Sequence, residues 1–107
     1  MKFYYDTIVL GGGASGMIAA VSSAEHGRKT LLLEKSDRLG RKILASGNGR
    51  CNMMNTGIPK YYGDSAFAND VIKYCTYDDL VRFFNRYGLL VKEREEGRVY
   101  PVTMRSV

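Results

Sequence analysis

Gly11-Gly12-Gly13-Ala14-Ser15-Gly16 fits the pattern G-x-G-x-x-G, and each patterned glycine has a task in holding a diphosphate. Gly11 permits a tight turn. Gly13 has no Cβ to keep the backbone away from a pyrophosphate. Gly16 lets a helix pack closely on a strand. A helix that opens here aims unpaired N–H groups and a partial positive charge at the phosphates. Glu34 follows about 20 residues past the turn, where a carboxylate accepts hydrogen bonds from an adenosine ribose. An anion at that position repels a 2′-phosphate, so the pattern favours a free 2′-OH over NADP. Turn and acid together read as a dinucleotide site and leave FAD and NAD both open.

A second glycine-rich loop, Leu39 to Asn55, favours the flavin. Gly47 and Gly49 bring backbone N–H groups close to a planar or anionic ligand. Arg41, Lys42 and Arg50 supply cationic donors, and Ser46, Asn48 and Asn52 supply side-chain hydrogen bonds. A plain NAD-binding unit has no use for such a loop after its second strand. A flavin nucleotide is long, carries a three-ring head and has to be held at both ends. Cys51 stands beside Arg50, and a guanidinium lowers a neighbouring thiol pKa. Disulfide-reducing flavoenzymes use paired cysteines, however, and no C-x-x-C occurs, so Cys51 reads as a structural or cofactor-contacting residue.

The remaining residues argue against other chemistries. His26 falls near the end of a helix with no evident partner, so no histidine base is identified. Cys51 and Cys75 are too few for a disulfide scaffold or a zinc site, and no metal site is expected. Glu93, Glu95 and Glu96 form an acidic turn interleaved with Arg94 and Arg98. They do not make a catalytic carboxylate pair.

The elements that position these residues can be read from hydrophobic patterning. Phe3 to Leu10 reads as a strand buried on both faces, Ala14 to Glu25 as a helix stopped by Gly27, and Thr30 to Glu34 as a second strand. Strand, turn, helix and strand in this order make a right-handed parallel unit. Lys35 to Asp64 shows no sustained periodicity and contains Gly57 and Pro59. Ser65 to Cys75 reads as a helix with Phe67, Val71, Ile72 and Cys75 facing inward. Thr76 is a candidate N-cap, with Asp79 closing a capping box. Leu80, Val81, Phe83, Phe84 and Tyr87 give the next helix a core stripe, ended by Gly88. Tyr61 and Tyr62, near Lys60, read as loop packing. Leu89–Lys92 and Arg98–Val102 are predicted to pair as a hairpin.

The fold class is therefore α/β: a partial Rossmann-like βαβ unit, then a glycine-rich loop, two helices and a short hairpin. Residues 1–107 read as the N-terminal part of one FAD-binding domain. Only two parallel strands can be placed, and the stretch from Tyr100 to Val107 has no terminating logic, so a longer polypeptide is expected.

The chain has 107 residues, 45% hydrophobic and 25% charged, an ordinary globular composition. The formal net charge of +5 favours an anionic partner. Its basic residues cluster at Arg28, Lys29, Lys35, Arg38, Arg41, Lys42 and Arg50, a set that reads first as solvated surface. A non-catalytic basic module binding nucleic acid is the alternative from another class, and an NAD-binding module the alternative cofactor reading. The longest aliphatic run, Met17 to Val21, is far short of the roughly 20 residues of a membrane helix. Glycines interrupt the only leader-like segment, so a cytoplasmic protein with reduced thiols is expected.

The segments GGGASGMIAA, LLLEK, GRKILASGNGRCNMMN and GRVYPVTMRS resemble the N-terminal part of the bacterial NAD(P)/FAD-dependent oxidoreductase flavoproteins. These include the bile-acid-inducible reductases and the aminoacetone oxidase family. The resemblance covers essentially the whole chain, and SGNGRCN, Ser46 to Asn52, is its most specific element. At Tyr100 the family more often has Phe. The resemblance implies that Gly11, Gly13, Ala14, Ser15 and Gly16 bind the FAD pyrophosphate. Glu34 would hold the adenosine ribose with Lys35 beside it, and Arg41 and Lys42 would line the phosphate or ribose region. Ser46, Gly47, Gly49, Arg50, Cys51 and Asn52 would approach the flavin. It further implies a two-electron oxidoreductase acting on a small molecule, with NAD(P)H as candidate reductant and neither nucleic acid nor membrane as partner. Family members are considerably longer, so the missing C-terminal part of the chain is an expected partner and these residues alone are expected to be inactive.

Overall fold

A computed structural model describes residues 1–58 and 60–105. Pro59 and the final Ser106 and Val107 of the sequence reading lie outside the described residues. The chain divides into two compact units, residues 1–46 and 47–107.

In the first unit, strand β1 (Thr7–Leu10) leads through the glycine turn into helix α1 (Ala14–Glu25), which returns to strand β2 (Thr30–Leu33). The strands are parallel, with Thr7 opposite Thr30 and Leu10 opposite Leu33. The Gly11 N–H extends the ladder to the Leu33 carbonyl at 2.7 Å. Helix α1 matches its expected bounds, and the N–H of Gly27 closes it onto Ala24 O at 3.0 Å. Three hydroxyls tie the helix to both strands. Thr30 donates to Ser23 Oγ at 2.8 Å, and Ser23 donates to Thr7 Oγ1 at 2.9 Å.

Strand β1 begins later than the expected Phe3. The amides of Asp6 and Thr7 both turn to the Lys29 carbonyl, and Asp6 Oδ2 accepts from Lys29 N at 2.8 Å. This closes the ladder where β2 begins and leaves Phe3 and Tyr4 without a strand to pair with. The expectation of burial on both faces is also corrected. Val9 is half-buried, while Ile8 and Leu10 on the opposite face are 56% and 80% exposed. One helix covers one face of a two-stranded sheet.

After β2 comes a five-residue helix, α2 (Arg41–Ala45), a length at which helical periodicity is illegible in sequence. In the second unit β3 (Met54–Asn55) follows, then helices α3 (Ser65–Tyr74) and α4 (Tyr77–Arg86) and strands β4 (Val91–Glu93) and β5 (Arg98–Pro101). The expected hairpin is β4–β5, and β3 adds to its other side, giving the antiparallel order β3-β5-β4. The core sits on the central strand, where Val99, Tyr100 and Pro101 are buried.

Asp64 caps α3 by accepting from Phe67 N at 2.9 Å. Thr76 and Asp79 form the full reciprocal capping box of α4. The helix faces differ from expectation. Phe67, Val71, Ile72 and Cys75 are exposed, so the supposed inward face of α3 has nothing packed on it within this unit. On α4, Leu80, Val81, Phe83 and Phe84 are half-buried and Tyr87 is exposed. Phe83 nevertheless packs edge-to-face on Phe84, with ring centroids 5.4 Å apart. Tyr61 and Tyr62 are exposed, contrary to the loop-packing reading, because no neighbouring element covers them. No helix among the described residues is long and apolar enough to cross a membrane.

Candidate functional site

The glycine turn sits where β1 ends and α1 begins, at the C-terminal edge of a parallel pair. Open α/β sheets bind ligands at that edge. Gly11 has a φ of +101°, which side chains rarely adopt. A Cβ on Gly16 would run into the Gly11 carbonyl oxygen, so this glycine is required by the close approach of helix and turn. Gly13 is different. Its φ is −77°, and a Cβ there would meet nothing within 4 Å. The chain itself therefore makes no steric demand for glycine at 13. No side chain caps the N-terminus of α1, and its first turn carries no acid, so Ala14, Ser15 and Gly16 begin a helix whose end is open to an anion.

Glu34 follows β2 directly, and its carboxylate is held at both oxygens. Oε1 accepts from Gly12 N at 3.4 Å and Oε2 accepts from Ser36 Oγ at 3.0 Å. The Gly12 N–H above all, then the Ser36 hydroxyl, holds the carboxyl below its usual value of 4.5. Beside it opens a shallow depression of about 420 Å³, lined by Leu10, Gly11, Leu33, Glu34 and Lys35. Apolar walls, one fixed carboxylate and one cation suit a nucleoside. Arg41 and Lys42 are exposed on α2, which begins next to the turn because Gly40 N–H bonds to Gly12 O at 2.7 Å. Ser46 donates to Ile43 O at 2.7 Å, so its hydroxyl proton closes the end of α2.

Three residues with local roles here escaped the sequence reading: Gly12, Ser36 and Gly40. Gly12 occupies a variable position of the pattern, yet it is buried, and a Cβ on it would strike Leu39. The run of three glycines was the available signal, because the pattern itself explains only two of them.

The second unit contains the other glycine loop. Gly47, Asn48, Gly49 and Cys51 all have positive φ, at 56°, 53°, 80° and 61°. Left-handed backbone at Asn48 and Cys51 costs about 1–2 kcal/mol each, so packing must hold the loop in place. Tyr100 supplies that packing. The Arg50 guanidinium lies 5.0 Å from its ring centroid, and Arg50 Nε donates to Gly47 O at 3.2 Å. A Cβ on Gly47 would lie 2.8 Å from Asn52 N and 3.3 Å from the Tyr100 ring. The loop then enters β3, with Met53 N bonded to Val99 O at 2.8 Å. Within this unit the loop of residues 47–52 therefore packs against Tyr100 of GRVYP, the segment that contains β5. Asn52 is exposed and Cys51 is half-buried with a free thiol. His26 is not partnerless as expected: its Nδ1 donates to Ser22 O at 2.7 Å, at the far end of α1 from the turn.

Comparison with known proteins agrees with the parallel βαβ fold of the first unit. The profile of the HI0933-like protein Rossmann domain matches residues 5–107. The chain is 41% identical to the 3-dehydro-bile acid delta(4,6)-reductase of Clostridium scindens over 98 residues, 87% of this chain and 24% of that protein. It is 32% identical to the ribosomal RNA dihydrouridine synthase of Escherichia coli over 99 residues, 90% of this chain and 25% of that protein. A shorter match, 33% over 67 residues, covers 63% of this chain and 13% of the FAD-dependent oxidoreductase dbaF of Emericella nidulans. The chain thus spans about a quarter of the length of the first two relatives.

Proposed function

The chain belongs to the HI0933-like Rossmann domain family, and from that premise we propose that it supplies the FAD-binding part of a two-electron oxidoreductase acting on a small molecule. The observation that carries the dinucleotide part of this reading is the Glu34 carboxylate, fixed at both oxygens beside an open depression and a helix start that no side chain caps, and the similarity to a FAD-dependent oxidoreductase favours the flavin.

FAD, when bound, supplies the hydride chemistry. The residues hold and orient it. Gly11, Gly13, Ala14, Ser15 and Gly16 take the pyrophosphate, and Glu34 takes the adenosine ribose with Lys35 beside it. Arg41 and Lys42 neutralise the phosphate or ribose region. Ser46, Gly47, Gly49, Arg50, Cys51 and Asn52 meet the flavin side; their resemblance to the flavoprotein motif supports this, as does the strained loop that Tyr100 holds. Residues 1–107 count as part of one FAD-binding domain, completed by further chain, in a cytoplasmic protein that uses NAD(P)H as reductant.

The relatives named for a bile acid and for ribosomal RNA differ in substrate class. The higher identity, 41% against 32%, favours the small molecule. The test is to purify the complete protein, denature it and identify the released chromophore, then follow its absorbance with NADH under anaerobic conditions. Bound FAD that bleaches supports the proposal. A colourless protein that ignores added FAD overturns it, and NADH binding without FAD would favour the NAD module. RNA binding that weakens steeply with salt would shift the substrate to nucleic acid.

A further inference from the structure

Glu34 is a half-buried carboxylate at the end of β2, and each of its oxygens has a separate tether. Oε1 is held by the Gly12 amide at 3.4 Å and Oε2 by the Ser36 hydroxyl at 3.0 Å. An ionised carboxylate offers about four acceptor positions. The Gly12 amide and the Ser36 hydroxyl occupy one position on each oxygen, which leaves acceptor capacity on a group that is held in place. That arrangement matches two hydroxyls on adjacent carbons, each donating to its own oxygen. We infer that Ser36 is a positioning residue that, by holding Oε2 of Glu34, makes this cleft select a ribose carrying both its 2′- and 3′-hydroxyls. The inference rests on the ribose role of Glu34 given above.

Ser36 is suited to this task by its own surroundings. Its Oγ also lies 2.9 Å from the Arg38 carbonyl, so the single hydroxyl proton has two acceptors within reach. The charged acceptor makes the stronger bond. The carbonyl holds the hydroxyl in place when the proton points elsewhere. The two acceptors together fix the position of the Ser36 oxygen beside the carboxylate. Without the hydroxyl Oε2 loses its side-chain tether, and the backbone amides that remain hold the carboxylate less firmly.

The experiment titrates the flavin-free complete protein with ADP and with 2′-deoxy-ADP, for the wild type, Ser36→Ala and Ser36→Thr. The wild type should prefer ADP. Ser36→Ala should weaken ADP binding about fivefold, the worth of one net hydrogen bond, and leave 2′-deoxy-ADP unchanged. Ser36→Thr keeps the hydroxyl and should restore the preference. Equal weakening of both nucleotides by Ser36→Ala, or an undiminished preference, overturns the role of Ser36 while the ribose reading stands. A wild type that does not distinguish the two nucleotides overturns the ribose reading itself. Should Ser36→Ala fail to fold, Ser36→Cys carries the same comparison with a weak S–H donor.

Discussion

The amide of Gly12 lies 3.4 Å from Oε1 of Glu34, 22 residues further along the chain. This bond joins the glycine turn at the end of β1 to the Glu34 carboxylate at the end of β2. Strand pairing brings the two ends together, and the absence of a side chain at Gly12 lets them touch. The turn and the acid, paired in sequence only by their spacing, are joined directly in the fold.

The same bond sets a pH dependence. Glu34 is held below its usual 4.5 because the Gly12 N–H, and after it Ser36, favour the charged form. A carboxyl lowered on folding contributes stability above its unfolded value and loses it as pH falls through the lowered one. Nucleotide binding by the complete protein should therefore be level from pH 7 down to about 4.5 and fall only below that. Glu34→Gln should remove the dependence and weaken binding throughout. Isothermal titration with ADP checks both, and a fall beginning near pH 6 would exclude Glu34 as the titrating group.

Gly16→Ala tests the close packing of α1. Alanine in a helix gains about 0.5–1 kcal/mol over glycine, but here its Cβ strikes the Gly11 carbonyl. Overpacking of this kind costs about 1–3 kcal/mol. A net loss of roughly 1–2 kcal/mol is expected, readable as a fall in Tm of several degrees by circular dichroism. An unchanged or raised Tm would mean that the turn is looser than described.

Much of this was legible in the sequence, for identifiable reasons. Helix α1 is bounded by Gly13 and Gly27, and the Thr76–Asp79 capping box marks the start of α4, so both were placed correctly. The β4–β5 hairpin was legible because Glu95, Glu96 and Gly97 separate two apolar runs. Strand β3 was not, because two residues have no period and Met54–Asn55 becomes a strand only by pairing with Val99 and Arg98. Burial on α3 was misjudged because an apolar face in sequence states a need for a partner without supplying one. Gly12 and Ser36 were missed because their roles are long-range or local polar contacts that no spacing rule encodes.

Thr76→Ala should cost about 1 kcal/mol, since it removes the hydroxyl that accepts from Asp79 N. The matching carboxylate accepts from Thr76 N at 2.9 Å, which is the first cause of the lowered Asp79 pKa. Its contribution is present above the usual 3.8 and disappears as pH falls below that. Helix content followed by circular dichroism should show an acid loss that Asp79→Asn abolishes. Identical acid profiles for the two proteins would contradict the capping role.

Tyr100 is 2% exposed and serves as the platform for the strained loop. Tyr100→Phe keeps the ring beneath Arg50 and beside Gly47 and should leave stability nearly unchanged. Tyr100→Ala removes it, at about 3–5 kcal/mol for a buried aromatic. Denaturant unfolding separates these cases. A tolerated alanine would show that the left-handed backbone at Asn48 and Cys51 does not depend on that ring.

The most direct test of the account is Gly13→Ala. The added Cβ would meet nothing within 4 Å and the backbone already has a negative φ, so folding should change little, by no more than the roughly 1 kcal/mol that separates alanine from glycine at an N-cap. If a pyrophosphate lies against this backbone, FAD affinity of the complete protein should drop roughly 100-fold, about 2.7 kcal/mol. Unchanged Tm with that loss is the predicted result. Unchanged Tm with full FAD affinity would show that the glycine turn does not hold the cofactor.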